Sequence, residues 1–259
     1  ELTPGGVLPA TLVPLFTVDL ERHDEESTSA VVTMALLALG GLTLITFALA
    51  PLLIALYGTN PGPGVDAGAF RSVGTVLALL FAPQGFFYGA MALGSALLNA
   101  RKRFFAAAWS PVLNNVVVIT TLLAVPRLFS GDRDIDAAGD QPGLLLVLGI
   151  GTTAGIVAMA VALLPALKRA GVRIRWRPDW RHPSVRKAVA LSGWTIGYVI
   201  ANQVAAQVVY VLAKPGSGDV TDYTTAFMFF QLPHGLLAVS LMTTFQPDLA
   251  RAAARDDAG

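Results

Sequence analysis

The chain has 259 residues, of which 54% are hydrophobic and only 14% charged, and its mean hydropathy is +0.61. Soluble domains carry about 25% charged residues, so this composition excludes an ordinary soluble domain and predicts an all-α, polytopic integral membrane protein. The net charge of +1 gives no reason to expect nucleic acid as a partner, and the absence of cysteine excludes disulfides and thiolate metal sites. The chain opens with Glu1, part-way into an apolar stretch, and we expect it to be a fragment of a longer protein.

Apolar runs of about 20 residues are long enough to cross a bilayer as helices. The sequence contains six of them: Ala30–Leu56, Val73–Leu98, Ala106–Val125, Gly143–Leu167, Ala188–Ala213 and Thr224–Phe245. Residues 7–18 look like the inner half of another span. We therefore predict about six full transmembrane helices and a partial one.

Charge placement predicts the orientation of these helices. All 18 lysines and arginines lie outside the six runs. When successive loops are assigned to alternate sides, 14 of them fall on one side, chiefly in loops 99–105 and 168–187. Positive residues mark the cytoplasmic side of a membrane, so both ends of the chain are expected to be cytoplasmic. These loops are topology determinants on the simpler reading; alternatively, Arg101, Lys102 and Arg103 also bind anionic headgroups.

An internal repeat predicts two lobes. Residues 4–20 and 233–249 match at a fixed offset, which aligns Pro4 with Pro233 and Gly6 with Gly235. The copies are six spans apart, so they have the same orientation, as parallel repeats of a transporter require. We expect residues 1–170 to form part of an N-terminal lobe, residues 171–187 a basic cytoplasmic linker, and residues 188–259 the start of a C-terminal lobe.

Several spans carry helix-breaking and polar residues near their middle. Helix breaks are predicted at Pro4, Pro83, Pro233 and Gly235. The candidates for lining a cavity are amides and one imidazole: Gln84, Asn114, Asn115, Asn202, Gln203, Gln207, Gln231 and His234. The alternative is that these groups are interhelical hydrogen-bond partners. Glycines with small-residue spacing are predicted to mark close helix packing, at Gly89, Gly94, Gly151, Gly155, Gly193 and Gly197.

Enzymatic chemistry is not expected from this sequence. No span contains Asp, Glu, Lys or Arg, so there is no embedded carboxylate for ion coupling, no catalytic dyad and no metal cluster. A single histidine, His234, does not make a hydrolase. We predict a protein that is not an enzyme and that uses no cofactor or metal.

One segment resembles a known family. Residues 96–119, ALLNARKRFFAAAWSPVLNNVVVI, resemble the hallmark of the MviN/MurJ family of lipid II flippases. QLPHGLLA (231–238) resembles the E-F-P-x-G-V-L-G motif of that family, and PGGVLPATLVPLF resembles its second helix. The order and spacing agree over essentially the whole chain, which would span the end of helix 2 to helix 8. The sequence departs from better-known members at Phe227, Met228 and Gln231, where they have an Asp-Arg pair and a Glu.

The resemblance implies a function and a fold. It implies a two-lobe exporter that moves the lipid-linked peptidoglycan precursor, lipid II, across the bacterial cytoplasmic membrane by alternating access. The expected partners are this polyprenyl-linked glycolipid, membrane lipids and cell-wall synthesis proteins. Three alternatives stay open: an exporter of other polyprenyl-linked oligosaccharides, a drug antiporter of the same superfamily, and a membrane scaffold that recruits cell-wall enzymes.

Overall fold

The polar residues that flank each apolar run set the ends of the helices. The computed structural model describes residues 24–57, 66–129, 139–212 and 219–233, together with Phe16 and Leu237. Within these ranges the regular elements are all helical: α1 (Glu25–Tyr57), α2 (Ala67–Ala100), α3 (Phe104–Leu128), α4 (Pro142–Val161), α5 (Leu163–Arg169), α6 (Pro183–Leu212) and α7 (Asp219–Pro233).

Short polar side chains start two of the long helices. Before α1, a carboxylate oxygen of Asp24 accepts a hydrogen bond from the Ser27 amide at 2.9 Å. Before α2, Asp66 accepts one from the Ala69 amide at 2.8 Å. Each bond satisfies one of the amides that the first turn of a helix leaves without a partner.

Two helices end in the same backbone motif. At the end of α5, the Val172 amide bonds to the Leu167 carbonyl at 3.1 Å, and Gly171 has a φ of 71°. At the end of α2, the Arg103 amide bonds to the Leu98 carbonyl at 2.8 Å, and Lys102 has a φ of 57°. This left-handed position usually holds glycine, so Lys102 occupies a conformation that strains its backbone.

Four helical segments of the described chain are long and apolar enough to cross a membrane: α1, α2, α3 and the segment from Pro142 to Arg169. The last segment contains α4 and α5, which are separated only by Ala162. These four correspond to the first four predicted spans. The fifth predicted span coincides with α6, and the sixth lies partly on α7 and otherwise outside the described residues; their crossing of the membrane stays a prediction.

The chain divides into two compact units, Leu2–Val204 and Ala205–Gly259. In the first unit α2 packs against α1 and α4, and α4 also packs along α3. A buried cluster at one end of this unit joins the start of α1 (Val31), the end of α2 (Leu97), α5 (Leu163) and the start of α6 (Val185). Both basic loops adjoin this cluster, so they lie at the same end of the helices. Large apolar side chains elsewhere on α1 and α3 are exposed, as lipid-facing residues are, for example Leu44 and Ile119.

Candidate functional site

Gln84, a candidate cavity residue, is bound to a neighbouring helix. Its Nε2 donates a hydrogen bond to the hydroxyl of Thr153 at 2.9 Å, and this hydroxyl donates in turn to the Leu80 carbonyl at 2.8 Å. The chain of bonds therefore runs from α2 to α4 and back to α2. This arrangement supports the alternative in which Gln84 is an interhelical hydrogen-bond partner.

Pro83 lies within the same stretch of α2, one residue before Gln84. Its ring has no amide hydrogen, so Pro83 leaves the Leu79 carbonyl without its helical donor. The Thr153 hydroxyl bonds to the next carbonyl along the chain, that of Leu80, and therefore does not replace this donor. Helix α2 nevertheless continues through Pro83 without interruption, so the break predicted there is not a gap in the helix.

Asn114 lies at a close contact between α3 and α4. A Cβ added to Gly155 would stand 2.6 Å from Asn114 Oδ1 and 3.1 Å from the Asn114 carbonyl oxygen. One turn along, a Cβ added to Gly151 would stand 2.3 Å from the Thr121 methyl. The prediction of close packing at Gly151 and Gly155 is therefore confirmed.

The remaining predicted packing glycines divide into two groups. Gly89 lies against Leu39, and Gly94 lies against Leu163. At Gly193 and Gly197, in contrast, no described atom lies within 4 Å of the position that a Cβ would take. Together with Ala190 and Tyr198, these two glycines line a cavity of about 660 Å³. Close packing at these two glycines stays a prediction, because several side chains of α6 and most of the second unit lie outside the described residues.

Asn114 also carries an unusual polar atom. Its Oδ1 is buried, and no hydrogen-bond donor reaches it among the described residues. The adjacent Asn115 is exposed. Asn114 therefore faces the helix contact and Asn115 faces away from it, so the two neighbouring amides cannot serve one shared pocket on α3.

Two neighbouring amide side chains of α6, those of Asn202 and Gln203, are exposed. Asn202 Nδ2 donates to the Tyr198 carbonyl of its own helix at 3.1 Å, and Gln203 is exposed. The side chain of Gln207 lies outside the described residues. Within the first unit, α6 thus presents two accessible amides in succession.

Helix α7 carries a stack of aromatic rings that sequence reasoning missed. The ring centroids of Tyr223 and Phe227 are 5.8 Å apart, and those of Phe227 and Phe230 are 6.3 Å apart. Spacings of four and three residues place the rings on one helix face, a signal available in the sequence. Gln231 is half-buried, and Pro233 is the last residue of α7. His234, Gly235 and Pro4 lie outside the described residues, as does most of the predicted repeat.

Arg101, Lys102 and Arg103 lie together on the turn between α2 and α3. All three side chains are exposed. Backbone hydrogen bonds from the Lys102 amide to the Asn99 carbonyl at 2.9 Å and from the Arg103 amide to the Leu98 carbonyl at 2.8 Å hold three consecutive positive residues at one point. Such a turn is suited to attract an anionic headgroup.

The second basic loop is held against α1. Residues 171–182, which we call the strap, run in extended form along the beginning of this helix. The amides of Arg175 and Arg177 donate to the hydroxyls of Ser29 and Thr33, each at 3.1 Å. The Arg177 guanidinium also pairs with Glu26. Sequence reasoning missed this attachment, although Ser29 and Thr33 are four residues apart and therefore share one face of α1.

The carboxyl group of Asp24, at the start of α1, has a lowered pKa. Hydrogen bonds from the hydroxyl and the amide of Ser27 lower the pKa of Asp24; burial opposes this shift, and the electrostatic effects of His182 and Arg177, which are smaller, also lower the pKa. Asp24 therefore stays ionised at neutral pH, where it caps α1 and faces the basic strap.

Within the described ranges, no three His, Asp or Glu side chains are grouped so that they could hold a metal ion. The features that stand out there are membrane-length helices, accessible amides and basic residues collected at one end.

Comparisons with known proteins identify the family of the chain. The family described as lipid II flippase MurJ matches residues 1–259. The chain is 28% identical to a probable lipid II flippase MurJ of Rhizobium meliloti (strain 1021), over 97% of the chain and 46% of that protein. It is 27% identical to the Haemophilus influenzae counterpart, over 97% of the chain and 49% of that protein. It is 26% identical to the lipid II flippase MurJ of Burkholderia cenocepacia, over 97% and 48%. The chain spans about half the length of the curated relatives it matches.

Proposed function

Because the chain belongs to the lipid II flippase MurJ family, we propose that the protein moves a lipid-linked peptidoglycan precursor across the bacterial cytoplasmic membrane by alternating access. The observation that carries this proposal is the family match over residues 1–259. The apolar helices and the basic end of the first unit fit a substrate with a polyprenyl tail and a pyrophosphate. We further propose that this basic end is cytoplasmic, as positive residues predict.

The basic turn would make the first contact with the substrate. Arg101, Lys102 and Arg103 are exposed side by side, and arginine binds phosphate oxygens with paired hydrogen bonds. Their positive charges would collect the pyrophosphate from the inner leaflet before it moves between the lobes. Their exposure on the turn between two predicted spans supports this step, because a charge at the membrane surface would keep most of its hydration.

The accessible amides would line the path of the headgroup. Asn202 and Gln203 are exposed on α6, and an amide both donates to and accepts from sugar hydroxyls. We assign Gln231 and His234 to the same path, on the resemblance of residues 231–238 to the family motif. We assign Gln84 and Asn114 instead to the packing of the first unit, because their side chains are engaged at helix contacts.

A complementation experiment tests the proposal. The full-length protein, carrying Arg101→Gln, Lys102→Gln and Arg103→Gln together, is expressed in bacteria depleted of their own flippase. We expect growth to fail although protein levels are normal, because pyrophosphate capture is lost. Arg127→Gln is the matched control, since Arg127 is exposed at the opposite end of the helices, and it should grow normally. Normal growth of the triple variant would remove the basic turn from the mechanism.

Two further variants and one control test whether the accessible amides line the path of the headgroup. Gln203→Leu and Gln231→Leu should reduce complementation at normal protein levels, whereas Asn115→Leu, on the exposed side of α3, should not. If Gln203→Leu and Gln231→Leu both grow as well as Asn115→Leu and the wild type, these amides take no part in translocation.

A further inference from the structure

The strap presents aromatic rings and positive charges on its free side. Trp176 is 67% exposed and Trp180 is 72% exposed. Ile174 is 43% exposed. Apolar side chains of this size, brought together on a short extended segment, mark an interaction surface rather than an ordinary solvated loop.

Part of the strap backbone is already hydrogen-bonded to α1, which leaves the outer side chains for other contacts. Ser29 and Thr33 are 2% and 1% exposed, and their hydroxyls accept the strap amides. The Thr33 hydroxyl also lies 3.4 Å from the Arg175 carbonyl, to which it donates. A segment fixed in this way loses little further conformational freedom when its outer face binds.

The charges of the strap favour an anionic partner. Arg173, Arg175 and Arg181 are exposed, whereas Arg177 is paired with Glu26. The one acidic residue of the strap, Asp179, accepts a hydrogen bond from the Arg181 amide at 2.9 Å. The outer face is therefore positive, with tryptophans between the arginines.

The depth of the strap in the membrane follows from the length of α1. This helix has 33 residues, so it is about 50 Å long, whereas the hydrocarbon core of a bilayer is about 30 Å thick. The strap lies along the first nine residues of α1, near the start of the apolar run at Ala30. That level corresponds to the headgroup region, where tryptophan is enriched at membrane interfaces.

We infer that the strap is a docking surface for anionic phospholipid of the inner leaflet, with Trp176 and Trp180 inserted at headgroup depth and Arg173, Arg175 and Arg181 binding the phosphates. The surface is separate from the basic turn at residues 101–103. It would hold the segment that precedes α6 at the membrane surface. This inference concerns bulk phospholipid and does not depend on translocation of any precursor.

Fluorescence quenching in nanodiscs provides the test. The full-length protein is placed in equal mixtures of phosphatidylglycerol and phosphatidylcholine without any precursor, and either one lipid or the other carries brominated chains. The signal of the two strap tryptophans is the difference between the wild type and the double variant Trp176→Phe, Trp180→Phe. Ile119→Trp adds a tryptophan at an exposed position far along α3 from the basic turn, and its signal over that of the wild type is the control for a lipid-facing site away from both basic loops.

We expect the strap tryptophans to be quenched more by brominated phosphatidylglycerol than by brominated phosphatidylcholine, and the tryptophan of Ile119→Trp to be quenched equally by both. Replacing the three exposed arginines with glutamine should reduce the preference by up to roughly five-fold for each arginine, the fold-change that corresponds to ~1 kcal/mol per charge near an anionic surface. Arg127→Gln should leave it unchanged. Two results would overturn the inference: no quenching by either lipid, which would place the strap against water or protein, or equal quenching by both lipids.

Discussion

Replacing Thr153 with valine removes the hydroxyl that links α4 to α2 while keeping the shape of the side chain. Two hydrogen bonds are lost, one from Gln84 Nε2 at 2.9 Å and one to the Leu80 carbonyl at 2.8 Å. Interhelical hydrogen bonds in membrane proteins contribute about 0.6 kcal/mol on average and about 1.7 kcal/mol at most. We therefore expect Thr153→Val to lower the free energy of unfolding by about 1.2 kcal/mol, with a ceiling of roughly 3 kcal/mol.

The neighbouring threonine provides a matched control. The hydroxyl of Thr152 donates only within its own helix, to the Leu148 carbonyl at 2.7 Å and the Gly149 carbonyl at 3.2 Å. Thr152→Val removes the same atoms without an interhelical bond, so it should cost far less. Reversible unfolding of the full-length protein in mixed detergent micelles measures both variants. Equal costs for the two substitutions would refute the assignment of Thr153 as an interhelical link.

The same experiment decides the role of Gln84. If Gln84 acts through Thr153, Gln84→Leu should cost about 0.6 kcal/mol alone and less in the presence of Thr153→Val, because the bond is already absent. Translocation by Gln84→Leu should remain normal at matched protein levels. Strict additivity of the two variants, together with lost translocation, would return Gln84 to the cavity.

Three further predictions concern the first unit and are measured by unfolding of the full-length protein. Gly155→Ala should lower the free energy of unfolding by about 1–3 kcal/mol, because the new methyl overlaps the facing helix. Gly85→Ala is the control and should not lower it, because no described atom lies within 4 Å of the Gly85 Cβ position. Equal effects of the two substitutions would contradict the close contact at Gly155. Lys102→Gly should raise the free energy of unfolding by about 1 kcal/mol and Gly171→Ala should lower it by a similar amount, because both positions are left-handed. A loss of stability in Lys102→Gly, or a gain in Gly171→Ala, would exclude the shared motif. Asp24→Ala should lower the free energy of unfolding by about 1 kcal/mol at neutral pH. Because folding lowers the pKa of Asp24, the difference in stability from the wild type should shrink as the pH falls below 3.8. A difference that does not change with pH would contradict the role of Asp24 as a cap.

Much of the fold follows from hydropathy and charge alone. A backbone in hydrocarbon must satisfy its own hydrogen bonds, so each long apolar run becomes a helix, and charged residues mark its ends. The four helical segments that are long and apolar enough to span a membrane agree with four of the predicted runs for this reason. The common end of the two basic loops also follows, because short connections make neighbouring helices antiparallel.

The contacts between helices could not be read from the same pattern. Gln84 was equally compatible with a cavity and with an interhelical bond, since its partner Thr153 is 69 residues away. Gly193 and Gly151 carry the same kind of spacing, yet among the described residues only Gly151 has a neighbour in contact. The attachment of the strap depends on Ser29 and Thr33 meeting a backbone more than 140 residues away, which no local pattern specifies.

The most direct test of the proposed activity measures where the precursor lies in living cells. The full-length protein is supplied to bacteria whose own flippase has been depleted, and an enzyme added outside the cells cleaves the precursor headgroups exposed on the outer leaflet. We predict that the wild type restores the cleavable fraction, and that the triple variant at Arg101, Lys102 and Arg103 leaves the precursor protected inside. If the precursor stays protected when the wild-type protein is present at a normal level, the protein does not flip it and the proposed function is wrong.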